Sequence, residues 1–444
     1  MSKKVFLKGT LILACTGLVS RIAGFFYRIF LSHAIGAEGL GLYQLILPLQ
    51  GLMAALSYTG IQSALSRLIA SRLALQEKKE AYFSLVTGIF AAVFFSAVTG
   101  FLLFRHADFF ASTILKAPGT SDLLRLTAAS IPLCAIHSCI DSYYYARKKA
   151  SVPAAVQLSE QTVRIGATYI LYLIFLSEGR PVTAMIAAGG SLAGEAAASL
   201  ISLLMVSFHF GNHPVKEKTS VKIFPLIKDL FTLSFPISLN RILLTLLGSI
   251  EAVLIPQMLI RCGMTSSETL KIYGIFTGMA LPLLLFPSTI TTSAAVMLMP
   301  SVARMDALGD QKQIRYVTDQ TFFLCMFLGF LCGSGFFLFG PFLGTLLFHS
   351  KTAGTYIRYL SFICPFLYTN TMLASILQGL GRPGRCLIHS AAGILIRIFS
   401  VVFMIPAIGI RGYFYGIFLG ELLLSLLHVK ALKFPYRQAG DNRL

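Results

Sequence analysis

Charge is scarce in this chain. Only 12% of its 444 residues are Asp, Glu, Lys or Arg, about half the share of an ordinary soluble domain, and only 18 are acidic. Polar intervals are scarce too: none between apolar runs is much longer than twenty residues, which leaves no room for the solvated basic face of a nucleic-acid-binding domain. The eight cysteines form no CxxC pair and lie mostly inside apolar runs (Cys15, Cys134, Cys139, Cys325, Cys332, Cys364), so they read as small core residues, not metal ligands or disulfide partners. No glycine-rich phosphate loop and no metal-ligand cluster is evident, which argues against an enzyme and against a bound cofactor or metal. Disorder is excluded by the 36 phenylalanines and the 56% hydrophobic content.

What the chain has instead is apolar length. A lipid-spanning helix needs about 20 residues. Twelve such runs are predicted, near 10–32, 41–66, 82–104, 122–145, 154–177, 183–207, 229–256, 272–300, 317–340, 356–379, 387–405 and 412–430. The first follows Lys3, Lys4 and Lys8 like a signal peptide, but it contains Arg21 and Arg28 and lacks a small-x-small cleavage site, so it reads as a retained span. Lysine and arginine give the chain a formal net charge of +19. With the N-terminus inside, 23 of the 37 basic residues fall in inner segments and seven in outer ones, which places both termini in the cytoplasm. The remaining seven, Arg21, Arg28, Arg125, Arg164, Arg241, Arg358 and Arg397, fall within spans.

The longest polar interval, 209–228, divides the chain into an N-terminal six-helix lobe (1–208), a cytoplasmic connector (209–228) and a C-terminal six-helix lobe (229–444). An even number of spans per half makes any repeat a parallel one. Collinear matches support it: Ile131-Pro132 with Cys364-Pro365 and Arg164 with Arg397 at an offset of 233, and Gly194-Glu195 with Gly420-Glu421 at 226. Tyr43 with Tyr273 and Ser20-Arg21-Ile22 with Asn240-Arg241-Ile242 extend the series upstream. The expected fold is an all-α integral membrane protein of twelve transmembrane helices in two lobes related by a parallel pseudo-two-fold repeat.

A charge near the bilayer centre must be paired or wetted. Counting depth from the outer turns sets Arg164 level with Glu195 and Arg397 level with Glu421, as buried ion pairs that either hold each hairpin together or line a cavity. Arg21 and Arg28 share one face of the first span, seven residues apart, with no acid on the rest of it. Arg241 is the repeat partner of Arg21. Together these three form a candidate anion site suited to pyrophosphate, because guanidinium binds phosphate bidentately. Headgroup snorkelling by Arg28 and carbonyl binding by Arg21 are the plainer alternative. Glu251 and Asp141, with His137 one turn before Asp141, are candidates for a coupling cation or proton.

The stretch SRIAGFFYRIFLSHAIGAEGLGLYQ (20–44), followed by GIQSALSRLIASR (60–72) and later LQGLGRPG (377–384), resembles the multidrug/oligosaccharidyl-lipid/polysaccharide exporter superfamily. It is nearest to the branch of stage V sporulation protein B and the lipid II flippases. The resemblance implies a MATE-like pair of lobes that opens alternately to either side, and a polyprenyl-pyrophosphate-linked glycan precursor, of the cell-wall or spore-cortex peptidoglycan kind, as cargo. It also implies that Arg21 and Arg28 belong to the central anion site; Arg241 rests on the internal repeat alone. Many members of that branch have fourteen spans, against twelve here. The expectation is a monomeric flippase of the bacterial cell membrane, with H+ or Na+ as a possible coupling ion and no nucleic-acid partner; alternative: a cation-coupled multidrug exporter on the same fold.

Overall fold

The computed structural model describes residues 3–212 and 223–433, with side chains from Cys15 to Asn212 and from Phe224 to Leu432. Much of the 209–228 connector, with Lys216, Lys218 and Lys222, and the C-terminal Arg437 and Arg443 lie outside the described residues. Every regular element among the described residues is helical. In lipid each backbone group must find its partner inside the chain, and a helix satisfies this locally.

Ten of the described helices are long and apolar enough to cross a membrane, two fewer than the twelve predicted runs. The run 154–177 is helical within Ser151–Ser177, but Glu160, Arg164 and the polar residues around them dilute its apolar character. The run 10–32 lies in Lys3–Ala34, where side chains are described only from Cys15. Two predicted runs are interrupted. The run 41–66 breaks at Tyr58 between Gly36–Ser57 and Thr59–Ala74, and the run 272–300 breaks at Phe286-Pro287 ahead of Ser288–Ala307. Elsewhere helices outrun the apolar stretch: Ile223–Arg261 has 39 residues, and at 1.5 Å per residue it is about 58 Å long, nearly twice the hydrocarbon core.

By packing, the chain divides into Met1–Pro282 and Leu283–Leu444. In the first unit Ile223–Arg261 lies against Thr59–Ala74 and Gly36–Ser57. Gly60 makes room for Ser238, and Ser249 Oγ donates to the Pro48 carbonyl at 2.9 Å. The helix Ser266–Gly274, opened by a Thr265–Glu268 capping box, crosses Gly36–Ser57 so closely that a Cβ on Gly41 would stand 2.1 Å from the Leu270 carbonyl oxygen. Predicted span seven and the start of predicted span eight, as far as Pro282, thus pack within the first unit, and the rest of the run 272–300 belongs to the second.

One local device occurs in both units. In Ser121–Ala146, Pro132 has no N–H to give the carbonyl four residues earlier, that of Ala128. Gly100 of the neighbouring Lys78–Arg105 lies over that carbonyl, where a Cβ would be 2.8 Å from its oxygen. In the second unit Pro365 frees the Ser361 carbonyl, and Gly333 of Gln311–Phe348 lies over it, where a Cβ would be 2.9 Å away. All three positions recur at the offset of 233 that separates Arg164 from Arg397, the glycine and the proline unchanged. The second unit closes with Pro383–Phe403 against Ile410–Lys433, and with Tyr368, wholly buried, donating to the Leu284 carbonyl at 2.7 Å.

Candidate functional site

The densest group of ionisable side chains in the first unit comes from three helices. Ser121–Ala146 presents Cys134, His137 and Asp141 at i, i+3 and i+7, one stripe of that helix. Ser151–Ser177 presents Glu160 and Arg164, one turn apart, and Met185–Asn212 presents Glu195. The last two helices meet through glycine. A Cβ on Gly194 would be 2.9 Å from the Glu160 carbonyl oxygen, and one on Gly190 would be 2.8 Å from that of Arg164. This close approach brings Glu195, 7% exposed, between Arg164 and His137.

Glu195 Oε1 is 3.4 Å from Arg164 Nη2, and its Oε2 is 2.9 Å from His137 Nε2. Arg164 also bridges to Glu160 on its own helix. Asp141 Oδ2 is 3.9 Å from His137 Nδ1, beyond hydrogen-bond range, and both Asp141 Oδ1 and His137 Nδ1 are buried without a hydrogen-bond partner. Glu160 is the member that sequence reading passed over, although an acid four residues before an arginine on a helix is a legible pair.

Cys134 Sγ, His137 and Glu195 have ligand atoms within 4.8 Å of one another, the one group of metal-ligand type among the described residues. Cys134 stands three residues before His137, a spacing the reading of the cysteines as core passes over. As a metal set it is poor: His137 Nε2 and Glu195 Oε2 already hydrogen-bond to each other, and Arg164 puts a positive charge beside the carboxylate.

The second unit holds a reduced version. Arg397 Nη1 is 3.4 Å from Glu421 Oε1, and Asn370 Nδ2 donates to Glu421 Oε2 at 2.8 Å and to its carbonyl at 2.9 Å. Ser425 Oγ donates in turn to Asn370 Oδ1 at 2.6 Å. Gly420 packs on Arg397 and on the Gly393 carbonyl as Gly194 packs on Arg164 and on that of Glu160.

The three arginines of the candidate anion site lie on two further helices, Lys3–Ala34 and Ile223–Arg261. Arg21, Gly24 and Arg28 form one stripe of Lys3–Ala34, and Gly24 faces Gln161 of Ser151–Ser177. Tyr27 OH, 2.9 Å from Thr168 Oγ1, fastens the same two helices together. Arg21 is exposed and Arg28 half-buried, with Tyr43 of Gly36–Ser57 in electrostatic reach of both Arg28 and Arg164. Arg241 is exposed on Ile223–Arg261, which packs on Gly36–Ser57. Among the described residues no carboxylate pairs with Arg28 or Arg241. Glu251, 6% exposed, lies in electrostatic reach of the buried Tyr273, away from the His137 group. The other in-span arginines are accounted for locally: Arg125 pairs with Asp108 and Asp122, each at 2.8 Å, and Arg358 lies over the Phe337 ring.

Comparison with known proteins bears on this arrangement. Residues 6–306 match the family described as polysaccharide biosynthesis protein. Stage V sporulation protein B of Bacillus subtilis (strain 168) is 30% identical, over 96% of this chain and 83% of its own. Lipid II flippase MurJ of the same organism is 22% identical, over 96% of this chain and 82% of its own. Among solved structures, lipid II flippase MurJ in an inward closed conformation superposes with a TM-score of 0.72 at 13% identity, over 96% of this chain and 88% of that one. An inward-facing multidrug resistance MATE family transporter superposes with a TM-score of 0.68 at 16% identity, over 95% of this chain and 99% of that one. The fold is the all-helical one of these transporters.

Proposed function

Because the chain belongs to the polysaccharide biosynthesis protein family, we propose that it is a multi-pass membrane flippase carrying a polyprenyl-pyrophosphate-linked glycan precursor, lipid II-like, from the inner to the outer leaflet by alternating access. The observation that carries this reading is the arginine stripe of the first span. Arg21 and Arg28 lie about 10 Å apart along an apolar helix, and no acid on that span neutralises them. A pyrophosphate with two phosphoryl groups would offer the guanidinium groups of such a stripe two bidentate partners. Arg241, on a helix that packs on the same neighbour, completes the proposed site. The relatives named for sporulation and for lipid II support the cargo class.

The protein would act as a monomer in a bacterial cell membrane, with both termini inside and repeats at 1–208 and 229–444 joined by 209–228. Its cycle would be coupled to H+ or Na+ through Asp141 or Glu251. Reconstituted into proteoliposomes, the Arg21→Ala, Arg28→Ala and Arg241→Ala variants are expected to lose lipid-linked sugar translocation while reaching the membrane at wild-type abundance. Undiminished flipping by Arg21→Ala removes the proposed site. Depletion in cells is expected to leave the lipid-linked precursor on the inner leaflet, and a precursor distribution unchanged by depletion overturns the cargo class.

A further inference from the structure

The two internal repeats solve the same packing problem with different charge, and the difference isolates a site. In the second unit the buried set is Arg397 with Glu421, one cation to one anion, and the third partner is the neutral Asn370. At the offset of 233 the first unit has His137 in place of Asn370, Asp141 in place of Ala374 and Glu160 in place of Gly393. The hydrogen bond from His137 to Glu195 is the one that Asn370 makes to Glu421, so holding the hairpin needs no titratable group at that position. Histidine and two additional acids are therefore surplus to the packing role.

Their charges do not balance. Glu160, Glu195 and Asp141 face Arg164 and His137, so even with the imidazole protonated one negative charge is left over. The geometry says which acid it is. Glu195 has a nitrogen partner on each oxygen and Glu160 has Arg164, whereas Asp141 comes no nearer than 3.9 Å to His137 and its Oδ1 is buried without a hydrogen-bond partner. The titratable groups that face this cluster from the surrounding helices include Tyr27, Tyr43, Tyr58, Cys134, Cys139 and Tyr145, all neutral in their ordinary state. A buried carboxylate oxygen without a donor is costly as an anion and far less so as an acid. A metal cation would require several free oxygen ligands, and three of the six carboxylate oxygens here already accept from nitrogen.

We propose that Asp141 is a proton-binding site through which the first unit senses the proton gradient, a deepening of the flippase reading on whose coupling step it rests. In the unloaded form Asp141 is a carboxylate 3.9 Å from a His137 imidazolium, and the group has a net charge of −1. Loading adds one proton to give the Asp141 carboxylic acid beside the His137 imidazolium, and the group becomes neutral. The bond formed is Asp141 O–H, the proton comes from the aqueous phase, and it returns there on unloading. Protonation alters what His137 donates to and, through it, the Glu195 to Arg164 link between three helices.

The test uses the full chain in lipid nanodiscs with no cargo present. Proton uptake on an acid pH jump, together with the infrared band of protonated carboxyl groups, is compared between wild type, Asp141→Ala and His137→Asn, the last two copying Ala374 and Asn370. Wild type is expected to take up one proton per chain more than Asp141→Ala and to show a carboxyl band that this variant lacks, while all three keep the same thermal midpoint. His137→Asn is expected to shift the pH of uptake without removing it. Uptake and band unchanged in Asp141→Ala overturn the site. Cargo flux in proteoliposomes is then measured with and without an imposed proton gradient. Flux that rises with the gradient in wild type and not in Asp141→Ala supports the coupling; equal gradient response in both overturns it. A proton site present at Asp141 with no lipid-linked cargo moved by wild type would instead overturn the flippase reading and leave the proton site standing.

Discussion

At the scale of single residues, depth along the helices foretells much of the buried charge. Counting equal distances from a turn pairs Arg164 with Glu195 and Arg397 with Glu421, and the structure sets each pair at 3.4 Å. Depth counting compares neighbours across a turn, so it passes over Glu160, one turn before Arg164 on the same helix. It also passes over Asn370, an amide with no charge to signal its place. The missed residues change what substitution does. Glu195→Ala leaves Arg164 paired with Glu160 but takes from His137 Nε2 its hydrogen-bond partner, and is expected to cost about 1–3 kcal/mol, read as a lower unfolding midpoint in detergent. Arg397→Met with Glu421→Met removes both charges and leaves only the Asn370 amide to satisfy, so it is expected to stay closer to wild type than Glu421→Ala alone. The matching first-unit double, Arg164→Met with Glu195→Met, leaves Glu160, His137 and Asp141 behind and is expected to recover little. Equal recovery by both doubles would contradict the account of the first unit as a five-member network.

At the scale of elements, the apolar pattern marks where chain is lipid-compatible and says little about where helices stop. The runs 41–66 and 272–300 are continuous in hydropathy, yet the backbone breaks at Tyr58 and at Phe286-Pro287. Pro287 signals its own break, because a helix tends to end at the residue before a proline. Tyr58 carries no such signal and is set by packing, where Gly60 must admit Ser238. Close approach is more legible, since a proline that frees a carbonyl needs a residue without Cβ above it. Gly100→Ala and Gly333→Ala would each press a methyl to within 3 Å of such an oxygen. Each is expected to lower stability by about 1–3 kcal/mol. Gly335→Ala on the same helix as Gly333 meets nothing within 4 Å and is expected to be neutral or slightly stabilising. Thermal unfolding of the three variants side by side checks this, and a Gly335→Ala loss equal to that of Gly333→Ala would refute the contact argument.

At the scale of the whole molecule, the repeat is legible because its constraints are chemical: an arginine, a proline and a glycine recur at 233, and the glutamate that pairs with the arginine recurs at 226, beyond a shorter outer loop. Orientation is argued from charge alone, through 23 basic residues in inner segments against seven in outer ones. It is open to a direct measurement. With the exposed Cys15 and Cys262 replaced, single cysteines at Lys149, Arg180, Lys312 and Lys351 each occupy an exposed helix end or turn. A membrane-impermeant maleimide applied to intact cells is expected to label positions 180 and 351, and to reach 149 and 312 only after the membrane is permeabilised. The inverse pattern would turn the protein over and place Arg21, nearer the start of its span, on the outer side of Arg28. A pyrophosphate collected from the cytoplasm would then meet Arg28 first, so the labelling result fixes the order in which the two arginines engage the cargo.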